Sequence, residues 1–133
     1  MSYALDTNLL IRLLTRDDET QYATVVRLLE TQEDQGAPVL LMLGMLLEAE
    51  WVLRSRYGLA REQIRTAFGA MLETTAIVVE SPATLEEALM LFGRDSSADF
   101  ADCMHVANAR QHGAILATFD RGAARLPGAE LLL

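Results

Sequence analysis

The chain has 133 residues, a hydrophobic fraction of 51% and a formal net charge of −8, from 11 basic and 19 acidic side chains. That length and apolar content suit one domain with a buried core and exclude general disorder, and a single cysteine, Cys103, excludes a disulfide scaffold. Every cation is an arginine, and the acidic balance argues against holding nucleic acid by bulk charge, while leaving room for an acidic site that binds phosphate through a metal ion.

The longest apolar run, Pro38–Leu47, falls well short of the roughly 20 residues that span a bilayer. The opening Met-Ser-Tyr-Ala-Leu-Asp lacks the basic and apolar regions of a signal peptide. A cytoplasmic protein without a membrane role is expected.

In chain order, Ser2–Leu5 reads as a short strand ending at Asp6. Asn8–Leu14 reads as a helix, with Thr7 or Asn8 available as its cap. Asp17–Glu33 has helical apolar spacing and is stopped by Gly36 and Pro38. Val39–Leu43 is a candidate buried strand, followed by helices over Met45–Tyr57 and Ala60–Leu72. Ala76–Val79 is β-branched and short, hence a strand; Pro82–Phe92 is a helix with proline in its first turn. Ser97–His112 is a helix closed by Gly113, a residue suited to a left-handed cap. Ile115–Thr118 is a strand, Arg121–Leu126 a short helix or turn, and Glu130–Leu132 a last strand. This alternation predicts a three-layer α/β fold: a mostly parallel central sheet of four or five short strands, flanked by about seven helices. Ligands of such sheets sit outside the carboxyl ends of the strands.

Most of the acids have an ordinary explanation. Glu50 precedes Arg54 by four residues, the favoured order for a helical ion pair on a solvated face. Glu48 differs, because its helical neighbours are Gly44, Met45, Trp51 and Val52, and a charge among apolar side chains needs a partner. Asp99 and Asp102 share a helix face and repel. Ser96-Ser97-Ala98-Asp99 matches a capping pattern that accounts for Asp99 in part, whereas Asp102, a turn deeper, has no arginine at helical spacing. Asp6 and Asp120 each follow a predicted strand, and Asp120 also suits an N-cap.

Taken jointly, Asp6 and Asp120 lie at strand ends, and Glu48 and Asp102 lie early on helices expected to cover that edge. Carboxylates gathered there call for a cation, and oxygen-only ligands select Mg²⁺ or Mn²⁺. The chemistry that follows is phosphodiester hydrolysis. Other readings fare worse. An Asp102-x-x-His105 pair alone does not make a transition-metal site, which leaves His105 a packed or supporting histidine, and Cys103 reads as a small buried hydrophobe. A phosphatase with Asp6 as nucleophile would want an acid where Asn8 stands and a lysine the chain lacks. There is no glycine-rich phosphate loop and no Gly-x-Ser-x-Gly.

Four segments, Leu5-Asp6-Thr7-Asn8, Leu46-Leu47-Glu48-Ala49-Glu50-Trp51-Val52-Leu53-Arg54, Asp99-Phe100-Ala101-Asp102-Cys103-Met104-His105-Val106-Ala107 and Thr118-Phe119-Asp120-Arg121, together resemble PIN-domain ribonucleases, and among them VapC-type toxins of toxin–antitoxin pairs. The resemblance covers essentially the whole chain as one PIN-like domain. It implies an Mg²⁺- or Mn²⁺-dependent endoribonuclease whose catalytic, metal-binding set is Asp6, Glu48, Asp102 and Asp120. Asp6 and Asp102 would be the most direct ligands. Asp99 would stand at the rim, with Thr7 and Thr118 orienting carboxylates and Asn8 nearby. The family usually carries less negative charge, so phosphate contacts fall to arginines such as Arg12 and Arg121, drawn from a set that includes Arg16, Arg54, Arg56 and Arg125. Each of these also suits a surface arginine paired with an acid. The resemblance further implies an RNA substrate, a cognate antitoxin and a homodimer. The alternative is a PIN-like module that binds RNA or antitoxin as a co-repressor without catalysis.

Overall fold

A computed structural model describes residues 2–133, which divide into two compact units, one ending at Glu80 and the other spanning Ser81–Leu133. The first unit carries helices α1 (Thr7–Thr15) and α2 (Glu19–Asp34), strand β1 (Val39–Leu41), helices α3 (Leu43–Ser55) and α4 (Arg61–Glu73), and strand β2 (Ile77–Val79). The second carries α5 (Pro82–Arg94), α6 (Phe100–Gln111), β3 (Leu116–Thr118), α7 (Arg121–Ala124) and β4 (Ala129–Leu131). Among the described residues, seven helices and short strands in the expected order bear out the α/β reading, and both ladders are parallel, though the strands pair as two two-stranded sheets, β1 with β2 and β3 with β4, where one sheet of four or five strands was expected.

In the first unit Val39 pairs with Ile77 and Leu41 with Val79. These four side chains are buried, as expected of β-branched and leucine-rich parallel strands. The expected strand Ser2–Leu5 is reduced to one parallel bridge, Ala4 to Leu40. Two backbone hydrogen bonds hold it there, Leu5 N–H to the Leu40 carbonyl and Leu40 N–H to the Tyr3 carbonyl, both 2.9 Å, before Asp6 caps α1.

Helix α3 starts at Leu43, two residues before the expected Met45 and inside the expected strand Val39–Leu43. Its own N-cap residue, Met42, makes no side-chain cap. The carboxylate of Glu80, just beyond β2, accepts the Leu43 N–H at 2.9 Å instead. A carboxylate supplied from a distant stretch of chain thus satisfies one of the orphan donors of the helix start and complements its dipole.

The buried stripe of α3 is Leu43, Leu46, Ala49, Glu50 and Leu53. Glu50, expected on a solvated face, is only 4% exposed. The expected ion pair is present, with Arg54 Nε 2.9 Å from Glu50 Oε2, and Arg54 carries the pair's exposed end. Helical spacing of four and three residues lays Glu50 beside Leu46 and Leu53 on the buried stripe. Arg54→Ala deprives a buried carboxylate of this partner, so a stability loss of about 1–3 kcal/mol is expected in urea titration. Glu50→Gln, which removes the charge along with its need for a cation, should cost less.

In the second unit, Phe92 of α5 meets Phe100 of α6 edge to face, with centroids 5.3 Å apart. Glu87 and Arg110 join the same two helices at 2.7 Å. Leu116 pairs with Ala129 and Thr118 with Leu131. Gly113 ends the α6 segment at φ 70°, the left-handed conformation expected of it. Helix α6 starts at Phe100 rather than Ser97. The N–H and hydroxyl of Ser97 both donate to Asp95 Oδ1, at 3.0 and 2.6 Å. That side-chain turn competes with helix formation, so the expected Ser96-to-Asp99 cap is not used. Cys103 is buried as expected, whereas His105 is exposed rather than packed.

Candidate functional site

In the first unit Asp6 is the N-cap of α1. Its backbone is extended, and Oδ1 accepts the Asn8 N–H at 2.7 Å. Thr7 or Asn8 was the expected cap; Thr7 is instead the first helical residue. Its hydroxyl is thereby free to donate to Glu48 Oε2, at 2.8 Å, so Thr7 orients a carboxylate as expected. Glu48 does neighbour Met45 and Val52, but that face of α3 opens outward and Glu48 is exposed rather than buried. Asp6, Thr7, Asn8, Met45, Glu48, Val52 and Arg56 line an open cavity of about 320 Å³. Glu48 has the apolar neighbours expected of it, but the face of α3 that meets the core is the one with Leu46, Ala49 and Leu53.

In the second unit Asp99 is the N-cap of α6, its Oδ1 accepting the Ala101 N–H at 2.8 Å. Asp102 therefore sits in the first turn, not a turn deeper. Asp120 caps α7, with Oδ1 accepting from Gly122 at 2.7 Å and Ala123 at 3.3 Å. Thr118 Oγ1 accepts the Asp120 N–H at 3.0 Å, so it fixes the backbone of Asp120 rather than its carboxylate. Desolvation raises the Asp102 carboxyl above its ordinary value of 3.8, the negative charges of Asp99 and Asp120 add to the shift, and His105 opposes it. Asp102 thus lies within reach of the negative charges of both Asp99 and Asp120.

Capping does not use up these acids. A carboxylate offers about four lone-pair sites on two oxygens. In Asp6, Asp99 and Asp120 the backbone donors engage Oδ1, which orients the group and leaves Oδ2 without a protein partner among the described residues. Among those residues no group of three or more His, Cys, Asp or Glu side chains is arranged to hold a metal ion. The donor chemistry of the acids fits a hard divalent cation, because it is all oxygen and because Asp99 and Asp120 repel the charge of Asp102.

Arg12, expected as a phosphate contact, is committed elsewhere. Its Nε donates to Gln21 at 2.5 Å, and its NH1 lies 3.3 Å from Asp17 and 3.4 Å from the Tyr57 hydroxyl. Arg121 is exposed, with no protein partner for its guanidinium among the described residues. Arg56 was only one of several candidate arginines in the sequence, and nothing there marked it as sharing a cavity with Asp6 and Glu48. Glu80 was not singled out at all; its sole signal was a position just after a strand.

Short parallel strands alternating with helices define an α/β protein, in which Asp6, Asp99 and Asp120 cap helices. The chain belongs to the PIN-domain family, whose profile matches residues 3–129. PIN domains are in general metal-dependent nucleases. Comparison with curated proteins returns no match. No helix among the described residues is long and apolar enough to cross a membrane.

Proposed function

We propose that this protein is an Mg²⁺- or Mn²⁺-dependent endoribonuclease, the VapC-type toxin of a toxin–antitoxin pair acting in the cytoplasm. In this reading both units serve one PIN domain, and Asp6, Glu48, Asp102 and Asp120 are its metal ligands. One observation carries it. Asp102 carries the raised carboxyl of a partly desolvated group that also feels the negative charges of Asp99 and Asp120, and neither it nor Asp6, Glu48 or Asp120 has a cationic partner within ion-pair distance among the described residues. Carboxylates kept clear of the chain's own cations suit a cation from outside.

A divalent ion bound by them would supply charge neutralisation at a phosphodiester and a more acidic water. The chain's own residues prepare the site. The N-caps of α1 and α7 hold Asp6 and Asp120 by one oxygen each. Thr7 fixes Glu48, and Asp99 places its negative charge beside Asp102. Arg121 is the proposed phosphate contact. Thr7→Val keeps the shape and removes the hydroxyl, so a 10–100-fold loss of Mg²⁺-dependent cleavage is expected, with melting temperature nearly unchanged.

The partner part of the proposal draws on an open groove of about 410 Å³ on α1 and α2, lined by Asn8, Leu9, Arg12, Gln21, Thr24, Val25 and Leu28. A mainly apolar groove suits a segment of the cognate antitoxin, and exposed Trp51 and Tyr3 suit a homodimer surface. The test is cleavage of a structured RNA pool by purified protein with Mg²⁺, Mn²⁺ or EDTA, alongside Asp6→Asn. Cleavage that needs the metal and vanishes in Asp6→Asn is expected. Folded, metal-loaded protein that cuts no more than the variant would move the weight to a co-repressor role. An antitoxin peptide that binds no tighter than its scrambled form would remove the toxin assignment.

A further inference from the structure

We propose that Phe119 is a stacking platform for an unpaired nucleobase of the substrate, with Arg121 and Arg125 holding the phosphates beside it. The inference rests on the ribonuclease reading and names how the RNA is presented to it. Phe119 is 81% exposed, an unfavourable state for a large aromatic ring in water. Its backbone is held from both sides. On one side Thr118 closes β3 and accepts the Asp120 N–H; on the other, Asp120 accepts two N–H groups of α7. The ring is therefore presented by a braced turn, next in sequence to a proposed metal ligand.

The surroundings supply the second half of a nucleotide site. Arg121 and Arg125 line one open cavity of about 530 Å³ with Gly122, Ala124 and Leu131. Two guanidinium groups on one wall are unexpected in a chain of charge −8. Neither lies within ion-pair distance of a carboxylate among the described residues, and Arg125 reaches only the Ser97 hydroxyl, at 3.5 Å. A pair of cations without a protein anion suits the phosphates of a ligand. Half-exposed Leu132, whose N–H donates to the Thr118 carbonyl at 2.9 Å, is the apolar neighbour of the ring, and an apolar protein segment seated on the two would leave both guanidinium groups without an anion. A single-stranded nucleic acid offers what the residues lack: a π-face for Phe119 and phosphates for the arginines.

The test uses Asp102→Asn protein with Mg²⁺, so that no probe is cut, and three labelled probes of equal length: oligo(U), oligo(A) and an abasic sugar–phosphate oligomer. Adding Phe119→Ala is expected to weaken binding of both base-bearing probes about tenfold and to leave the abasic probe unchanged, with Phe119→Trp restoring the loss. Arg121→Ala and Arg125→Ala are expected to weaken all three probes alike and to flatten the salt dependence. In protein with Asp102 intact, Phe119→Ala is expected to raise KM more than it lowers kcat. Equal binding of all three probes with and without the ring overturns the proposal, as does a ring deletion that changes self-association and not RNA binding. Cleavage without base discrimination removes the stacking site alone. Base discrimination by a protein that never cleaves removes the nuclease reading and keeps the stacking site.

Discussion

Asp102→Asn is expected to lose metal-dependent RNA cleavage by more than about 100-fold, above the range for a merely supporting residue, while the metal-free protein becomes slightly more stable. Both effects have one cause. Burial and the charges of Asp99 and Asp120 raise the Asp102 carboxyl above 3.8. Between 3.8 and the folded-state value the native protein binds more protons than the unfolded chain, so stability falls as pH rises through that window and stays lower above it. Below 3.8 both states are protonated and this contribution disappears. Asparagine removes the charge and with it the penalty, so the variant should melt about 1–2 °C higher than the parent near pH 7 in EDTA. The gain is small because Asp102 is only partly buried and solvent screens it. Added Mg²⁺ should reverse the order, since it stabilises whichever folded protein binds it. Melting curves at pH 4 and pH 7, with and without Mg²⁺, together with a cleavage assay, check each part. A variant that cleaves like the parent would remove Asp102 from the ligand set.

The type and order of the helices were legible in the sequence because each carries a local signal: the Leu and Val spacing in Asp17–Glu33, Pro82 in a first turn, Gly113 at a helix end. Helix starts were less legible, since they depend on which of several capping groups wins. At α1 the candidates Thr7 and Asn8 lost to Asp6. At α6 the nominal cap Ser96 lost because Asp95 drew Ser97 into a turn first. At α3 the cap came from Glu80, 37 residues away in the chain, which no local pattern reveals. Burial also depends on distant groups. Glu48 and Glu50 lie two apart on one helix and so face different ways, and the packing of the stripe Leu46, Ala49 and Leu53 takes Glu50 into the core. The acids themselves were found in the sequence by an argument about unexplained charge. Capping and metal binding looked like rival explanations there, yet a carboxylate has two oxygens and can serve both. Phe119 gave no signal beyond its place between Thr118 and Asp120, because exposure is a property of the folded chain.

Phe100→Ala is expected to cost about 3–5 kcal/mol, a large share of the 5–15 kcal/mol that holds a typical domain together. Phe100 is 1% exposed and opens α6, directly after the cap residue Asp99 and two residues before Asp102. Its ring stands edge-on to Phe92 of α5, at an interplanar angle of 80°, and such a pair adds to the value of simple burial. Alanine leaves a cavity beneath the first turn of α6, the turn that carries both acids. The acids repel, so packing, not their own interaction, must hold that turn in place. The variant should therefore lose cleavage by more than its unfolded fraction accounts for when assayed well below its melting temperature. Phe100→Leu keeps most of the volume and should show roughly half the stability loss, with cleavage close to the parent's. Urea titration gives the stabilities, and cleavage per folded molecule gives the coupling. A loss below about 1 kcal/mol for Phe100→Ala would mean that α5 and α6 close over the missing ring, and that the position of Asp102 is set by the Asp99 cap alone.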